Sequence, residues 1–432
     1  MLPAAPAPGG GGGPAGAGAR RGAGAPPGGG PRRRGGGGPP APPRSTTPVG
    51  SCGPALKRVI GCKHKASVAG TNSQQSWIIR AYAYPANTAT PFKDKLSVAP
   101  MMAWTDRHCR YFHRLITKNT LLYTEMVNAG AVIYGGTARH LDFNAEEHPV
   151  ALQLGGNEPD KLAQATKFAE EWGYDEVNLN CGCPSPRVQK GAFGAALMAE
   201  PNLVADCVKA MLDVVKDANK TPITVKHRIG LDKSEDTPQS YAFVRDFMGA
   251  VADAGCQTFI VHARNAWLEG LSPKENRDIP PLRYEVVHRL KQDFPHLNIV
   301  INGGFTTNEQ IAEQLQQLDG VMLGREAYHN PWLMATWDEQ FYGANAPNEI
   351  TRESIEEQMV QYMEREKAAH GTPWPAIARH MLGLRHGLRG ARHWRQVWSN
   401  QNLRDLPPSE VMKLAHALSF ESDVLAPAAS LA

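Results

Sequence analysis

From residue 96 onward the chain presents eight short apolar runs rich in β-branched residues, most of them separated by segments of helical periodicity. The runs are LSVAPM (96–101), LLYTEMV (121–127), VALQLGG (150–156), DEVNLNCG (175–182), ITVKHRIG (223–230), TFIVHAR (258–264), NIVINGG (298–304) and GVMLGRE (320–326). Between them lie stretches such as DKLAQATKFAEEW, which sets Leu162, Ala165, Ala169 and Trp172 on one face, and NEQIAEQLQQL. Eight strands alternating with helices over about 240 residues have the size and order of an α/β fold of the closed (β/α)8 type, the TIM barrel. An open doubly wound sheet is the competing arrangement, but it does not need eight strands.

In such barrels the chemistry sits where the strands end at their C-termini. Those ends carry Pro100 and Met101, Glu125, Gln153, Asn180 with Cys183, Lys226 with Arg228, His262 with Arg264, Asn302 with Gly303, and Gly324 with Arg325. A lone Asn-Gly-Gly is most often a turn, and a lone His or Gln most often a satisfied core residue. Their coincidence at one end of eight strands predicts a ring of functional groups around a common mouth. The glycines of NGG and GRE, after the seventh and eighth strands, suit a phosphate that approaches backbone N–H groups closely.

Composition separates this body from what precedes it. No Asp or Glu occurs before Asp94, while Lys and Arg number twelve over residues 1–93, so that segment carries +12 against +4 for the whole chain and leaves −8 for the rest. Residues 1–50 are mostly Gly, Pro, Ala and Arg, with too little apolar surface to offset the entropy of ordering, and a disordered extension is expected over 1–93. An acid-free, Arg-containing extension suits import into a plastid or mitochondrion, with a solvated tail on a cytoplasmic protein as the alternative. No apolar run is long enough to span a bilayer. Seven cysteines, at 52, 62, 109, 181, 183, 207 and 256, make an odd set in a long chain. That argues for a reducing compartment and against a disulfide framework. Cys207 and Cys109 fall on predicted helices.

The pair Cys181 and Cys183 in NCGCPSP admits three readings: a metal clip, a redox couple, or one working thiol beside a packed neighbour. No second close Cys/His cluster supplies the remaining ligands for zinc, and a disulfide across one intervening residue closes a strained ring. Alternation along the strand predicts Cys181 packed in the barrel wall. Past residue 346, IEEQMVQYMEREKAA and IARHMLGLRHGL read as helices, and LRGARHWRQVW spaces Arg392 and Arg395 among aromatics. Trp394 and Trp398, at i and i+4, read as packing, while the two arginines suit phosphates.

The stretches SVAPMMAWTDRHCRYF, LLYTEMV, HPVALQLGGNEPDKLA, YDEVNLNCGCPS, VKHRIGLD, HARNAWLEGLSPKENRDIPPL, FPHLNIVINGG and DGVMLGREAYHNP resemble the tRNA-dihydrouridine synthases, and within them the A subfamily. The resemblance covers roughly residues 94–400. It implies a TIM-barrel catalytic domain over 94–345, a smaller all-helical tRNA-binding domain over 346–432, FMN as cofactor, NADPH as reductant and tRNA as partner; a monomer is the default expectation. The reaction implied is reduction of uridine to dihydrouridine in the D-loop, at positions 20 and 20a.

Carried onto this sequence, the resemblance makes Cys183 the catalytic thiol. FMN contacts fall on Pro100, Met101, Gln153, Lys226, His262, Asn302, Gly303, Gly304, Gly324 and Arg325. Asn180, Lys274, Arg277, Arg392 and Arg395 become the tRNA-facing positions, and no metal is implied. One departure is Pro186, which follows the CPS stretch where an acid is common. The residue types suit the chemistry: saturating the 5,6 double bond of uracil needs a hydride at C6 and a proton at C5, and a cysteine of ordinary pKa, about 8.5, holds its proton near neutrality. Two other functions fit parts of the pattern. A flavin reductase of free pyrimidines, resembling dihydroorotate dehydrogenases, explains the strand-end ring but not the Arg-rich extension; a non-catalytic tRNA-binding factor requires neither Cys183 nor Lys226.

Overall fold

The structure is a computed structural model that describes residues 95–231, 238–343 and 350–424. The acid-free extension, with its import reading, lies outside the described residues.

Eight parallel strands close into a barrel in sequence order: β1 (Leu96–Val98), β2 (Leu121–Asn128), β3 (Val150–Gly155), β4 (Glu176–Cys181), β5 (Ile223–Arg228), β6 (Thr258–His262), β7 (Asn298–Asn302) and β8 (Gly320–Leu323). Seven strands are one to three residues shorter than their apolar runs, and β2 extends one residue past its own. Apart from Asp175, the lost residues follow the C-terminal ends of the strands, so the runs overshoot where the site begins.

Two apolar layers hold the barrel. The larger lies between strands and helices and includes Val177, Leu179, Cys181, Val204, Cys207, Val225 and Val251, all fully buried. The helix Pro159–Trp172 contributes Leu162, Ala165 and Ala169 to it, and Cys109 is buried on the helix Arg107–Ile116. The smaller layer fills the lumen with Ala99, Leu121, Tyr123, Ala151, Ile260, Val300 and Met322. Among the described residues no helix is long and apolar enough to cross a membrane.

The later part is helical: Arg352–His370, Trp374–Ala378, Ala391–Trp398 and Pro408–Val424. The helix expected over 377–388 is not formed; after Ala378 the chain runs through successive turns to Gly390. Three glycines explain this. A Cβ at Gly383 would lie 2.6 Å from the His329 carbonyl oxygen, and Gly387 and Gly390 hold φ of +77° and +78°, which a continuing α-helix cannot contain. Trp394 and Trp398 are buried, as packing required.

This helical part docks on the barrel beside β1. Asp106, which caps the helix Arg107–Ile116 through the N–H groups of His108 and Cys109, accepts from Arg379 at 2.6 Å and His380 at 3.0 Å. Tyr362 stacks on Tyr111 at 3.9 Å between ring centroids and its hydroxyl lies 2.7 Å from His108 Nδ1.

Candidate active site

The site is built by strand alternation, because successive side chains of a strand face opposite sides of the sheet. In β4, Glu176, Asn178 and Asn180 enter the lumen while Val177, Leu179 and Cys181 pack outward. In β5, Thr224, Lys226 and Arg228 enter and Ile223, Val225 and His227 pack outward, with His227 against Phe247 and Phe259. Register then places Asn180 beside Lys226 and Arg228 beside His262, and His262 beside Asn302.

Cys183 sits on the loop leaving β4, half-buried. Its N–H and that of Gly182 donate to Asn180 Oδ1 at 3.0 and 3.2 Å, and its carbonyl accepts from Ala195 N–H at 3.0 Å. At Gly194, φ is +73° and a Cβ would come within 2.6 Å of the Cys183 carbonyl oxygen, so the close return of the chain under the loop requires glycine. Burial pushes the Cys183 thiol up, opposed by the Ser185 backbone and by the cations of Arg228, Arg277 and Lys226. The thiol therefore carries its proton at neutral pH. Cys181 faces the opposite side of the strand, fully buried near Cys207 and Cys256, and burial pushes its thiol up as well. The two cysteines form no pair.

Lys226 reaches into the mouth and donates from Nζ to Asn302 Oδ1 at 3.0 Å, while Asn302 Nδ2 donates to the Met322 carbonyl at 2.8 Å. Burial pushes the Lys226 ammonium down to about 7, with Arg228 adding repulsion and Cys183 opposing it. His262 is held neutral, well below its usual range, by burial and then by Arg228, Lys226, Arg264 and Arg277. A cation-rich, anion-poor mouth of this kind is a receptor for negative charge.

The remaining expected cofactor positions line the same rim. Pro100 and Met101 follow β1, and a Cβ on Gly324 would meet Ala99 and Met101 at 3.9 and 4.0 Å, so the ends of β1 and β8 adjoin. Gly303 and Gly304 have φ of +142° and +76°, and a Cβ on either would lie 2.7 Å from Leu282, which packs against the bare backbone of the turn. Arg325, just past the neighbouring strand β8, forms a 2.7 Å ion pair with Asp278. Gln153 is buried in β3, its carboxamide between Asn178 and Asn180. These residues fit FMN: glycine backbone after β7 and a guanidinium after β8 suit a phosphate, and a lysine of lowered pKa suits an anionic ring.

The segment after β6 is strapped across the mouth by arginines. Arg228 donates to the carbonyls of Gly182, Asn265 and Asn276 at 3.3, 3.2 and 3.0 Å. Arg264 donates to the carbonyls of Asp278 and Pro280, and Arg325 to that of Arg277. Gln189 ties the cysteine loop to the same strap by donating to Pro184 and Leu268 carbonyls at 2.7 and 3.0 Å. Lys274 and Arg277 ride exposed on this strap, and Arg277 is close enough to act on the thiol. Arg392 and Arg395 lie on the exposed face of the helix Ala391–Trp398, in the helical part of the chain.

Sequence reasoning placed the rim but assigned no role to Arg228 or Gln189, and it passed over Glu176, Asn178 and Thr224. The signal for the last three was present: E-V-N-L-N-C and I-T-V-K-H-R alternate polar and apolar residues at period 2, which in a barrel strand places the polar set in the lumen.

Residues 97–417 match the protein family described as dihydrouridine synthase (Dus). Among curated relatives, the tRNA-dihydrouridine(20/20a) synthase of Vibrio parahaemolyticus is 57% identical over 303 residues, 70% of this chain and 90% of that protein. Enzymes of the same name from Escherichia coli (strain K12) and Pseudomonas syringae pv. tomato are 50% and 56% identical, over 82% and 73% of this chain and 99% and 91% of theirs. Among solved structures, morphinone reductase overlaps 60% of this chain and 88% of its own at a TM-score of 0.39 and 14% identity, too remote to bear on the site.

Proposed function

Because the chain belongs to the dihydrouridine synthase family, we propose that it reduces uridine to 5,6-dihydrouridine in tRNA, at positions 20 and 20a, as a member of the A subfamily. The observation that carries this reading is Cys183: a half-buried protonated thiol, fixed by two N–H bonds to Asn180 and facing the cations Lys226, Arg228 and Arg277.

When bound, FMN reduced by NADPH supplies the hydride that C6 of the uracil receives. Cys183 holds a proton on Sγ for C5, and the neighbouring cations stabilise the thiolate left behind. Lys226 neutralises negative charge at the flavin edge. Gly303, Gly304, Gly324 and Arg325 would hold the FMN phosphate, and Pro100, Met101, Gln153, His262 and Asn302 would line its ring.

A uridine inside folded tRNA reaches this depth only when flipped out, with the backbone held elsewhere. Lys274 and Arg277 on the strap meet the strand near the thiol, and Arg392 and Arg395 on the helical part hold more distant phosphates, one monomer per tRNA. In this reading residues 94–345 are the catalytic domain and 346–432 the tRNA-holding domain. The extension before them serves as an import signal, which a fluorescent fusion of residues 1–93 tests by its location.

The experiment is incubation of purified full-length protein, loaded with FMN, with unmodified tRNA and NADPH, followed by nucleoside mass spectrometry. Dihydrouridine at positions 20 and 20a, and its loss in Cys183→Ala with tRNA binding intact, are expected. NADPH oxidation with every uridine left unchanged would sink the assignment.

A further inference from the structure

The polar row inside the barrel has a direction, and both of its ends are chemically fixed. At the top, the N–H groups of Gly182 and Cys183 can only donate, so Asn180 must present Oδ1 to them, as it does at 3.2 and 3.0 Å. Its Nδ2 is thereby turned to Gln153 Oε1, at 2.8 Å. Gln153 must then give Nε2 to Asn178 Oδ1, at 2.7 Å, and Asn178 its Nδ2 to Thr224 Oγ1, at 2.8 Å. Thr224 has one proton left, and it goes to Glu176 Oε1 at 2.6 Å, where the Tyr123 hydroxyl also donates.

Strand register builds the row. Gln153 pairs with Asn178, and Asn178 with Thr224, across β3, β4 and β5, while Glu176, Asn178 and Asn180 rise through the lumen along β4. All six side chains are buried, none more than 8% exposed. In such surroundings an unmatched donor or acceptor is costly and neighbouring bonds reinforce one another. Reversing one amide sets donor against donor above it and leaves acceptor facing acceptor or a turned hydroxyl below it, so relief requires reversing the whole row, which the backbone N–H groups at its top cannot follow.

We propose that Glu176, Asn178 and Thr224 are positioning residues for the reaction: the carboxyl oxygen low in the barrel fixes the sense of the amides above it and so keeps Asn180 Oδ1 aimed at the Cys183 loop. Their link to the loop runs through Gln153 and Asn180. The five side chains Asn180, Gln153, Asn178, Thr224 and Glu176 pass their hydrogen bonds in one sense, from the thiol's loop to the carboxyl group. The kinetic part of this inference rests on the proposed reaction; the placement of the thiol does not.

The test replaces Thr224 with Val, which keeps the shape and deletes the link, and with Ser, which keeps the hydroxyl. Turnover is measured on unmodified tRNA with NADPH, per flavin-loaded molecule. In parallel, the alkylation rate of Cys183 by iodoacetamide is followed by peptide mass spectrometry, which needs no substrate. Thr224→Val is expected to lower kcat by about tenfold, the worth of one buried hydrogen bond, with KM for tRNA unchanged and Cys183 alkylated faster. Thr224→Ser is expected to restore both. If Thr224→Val does not accumulate as folded protein, Thr224→Ala carries the same measurements. A variant that loses only thermal stability, with kcat and alkylation at the parental values, overturns the proposal. A parental protein inactive on tRNA overturns the assigned reaction instead, and the alkylation rates alone then decide the row.

Discussion

The barrel and the helical part each bury a carboxyl group, and the two are wired differently. Glu356, fully buried on the helix Arg352–His370, accepts from the indole N–H groups of Trp394 and Trp398 at 2.8 Å on one oxygen, and from Arg385 and His416 at 3.2 and 3.0 Å on the other. Those four donors come from three other segments, so the carboxylate is a knot that ties the helical part to itself. Glu176 accepts from Thr224 and Tyr123, and the bonds lead away from it, residue by residue, to the backbone beside Cys183. One buried acceptor closes a structure; the other ends a line that reaches the reacting thiol. The difference teaches that burial of a carboxyl group does not reveal its role, and that the destination of its hydrogen bonds does.

That contrast is most forcefully broken at Glu356. Glu356→Ala strands two indoles and an imidazole, while Arg385 keeps its 2.9 Å pair with Glu353, and the expected loss is about 3–5 kcal/mol, the range for deleting one partner of a buried ionic cluster. Because the knot is internal to the helical part, flavin loading of the barrel should persist while tRNA affinity collapses. Calorimetry with a flavin titration checks this, and a simultaneous loss of flavin would show that the two carboxyl groups serve one cooperative unit.

Lys226 supplies the next largest effect, with opposite signs in its two readouts. Burial lowers its ammonium to about 7 from the usual 10.5, so between those values the unfolded chain binds more protons than the folded one. The flavin-free protein therefore gains stability as pH rises through that window. Lys226→Met should flatten this gain and raise Tm at neutral pH by a few degrees, while lowering turnover by about 100-fold through loss of charge stabilisation. A stabilised but inactive variant is the signature of a site built at the expense of its scaffold. Unchanged turnover would remove Lys226 from the site.

Much of this was legible in the sequence, and the failures have common causes. Period-2 alternation was enough to pack Cys181 in the barrel wall, while Cys183 lies past the end of the strand, and an i, i+4 spacing was enough to read Trp394 and Trp398 as packing. The eight strands were legible because parallel barrel strands are apolar on the side that faces the helices. The stretch 377–388 misled because its apolar spacing is helical while Gly383, pressed against the His329 carbonyl, and Gly387, at positive φ, act through contacts and torsions that periodicity does not encode. The row from Glu176 to Asn180 was hidden for another reason. Its polarity is a property of three strands in register, and each strand alone shows only one or two unremarkable amides or hydroxyls.

A smaller effect is expected in the pH profile. Burial raises the Cys183 thiol above its ordinary value, so the proton it delivers is present at neutral pH and is lost as pH rises through the raised value. With FMN bound, its negative charge keeping Lys226 protonated, turnover should stay flat from neutral pH to about 9 and fall beyond it, with iodoacetamide alkylation of Cys183 rising as turnover falls. Alkylation that rises from neutral pH would mean that the cations around the thiol outweigh its burial, whereas a decline in turnover without it would report loss of the Lys226 charge, lowered to about 7 in the flavin-free protein.

The smallest effects sharpen the comparison, because the same charge can be removed in both regions. Arg392 and Arg395 are exposed on the helical part, whereas Arg277 is exposed on the strap within electrostatic reach of Cys183. Alanine at Arg392 or Arg395 should weaken tRNA binding by roughly twofold to fivefold and lower the slope of log K against log salt by about 0.7–0.9 per arginine, the yield of one released counterion. Turnover at saturating tRNA should not change, since those guanidiniums act on phosphates far from the reacting atoms. Arg277→Ala should weaken binding by a similar factor and also lower kcat, because the thiolate formed after proton transfer loses one of its three stabilising cations. Salt-dependent binding and saturation kinetics on the same three variants separate the two behaviours. If Arg392 and Arg395 lower kcat as Arg277 does, the helical part shapes the reaction as well as holding the tRNA, and the division between a knot that holds and a line that positions fails at the surface.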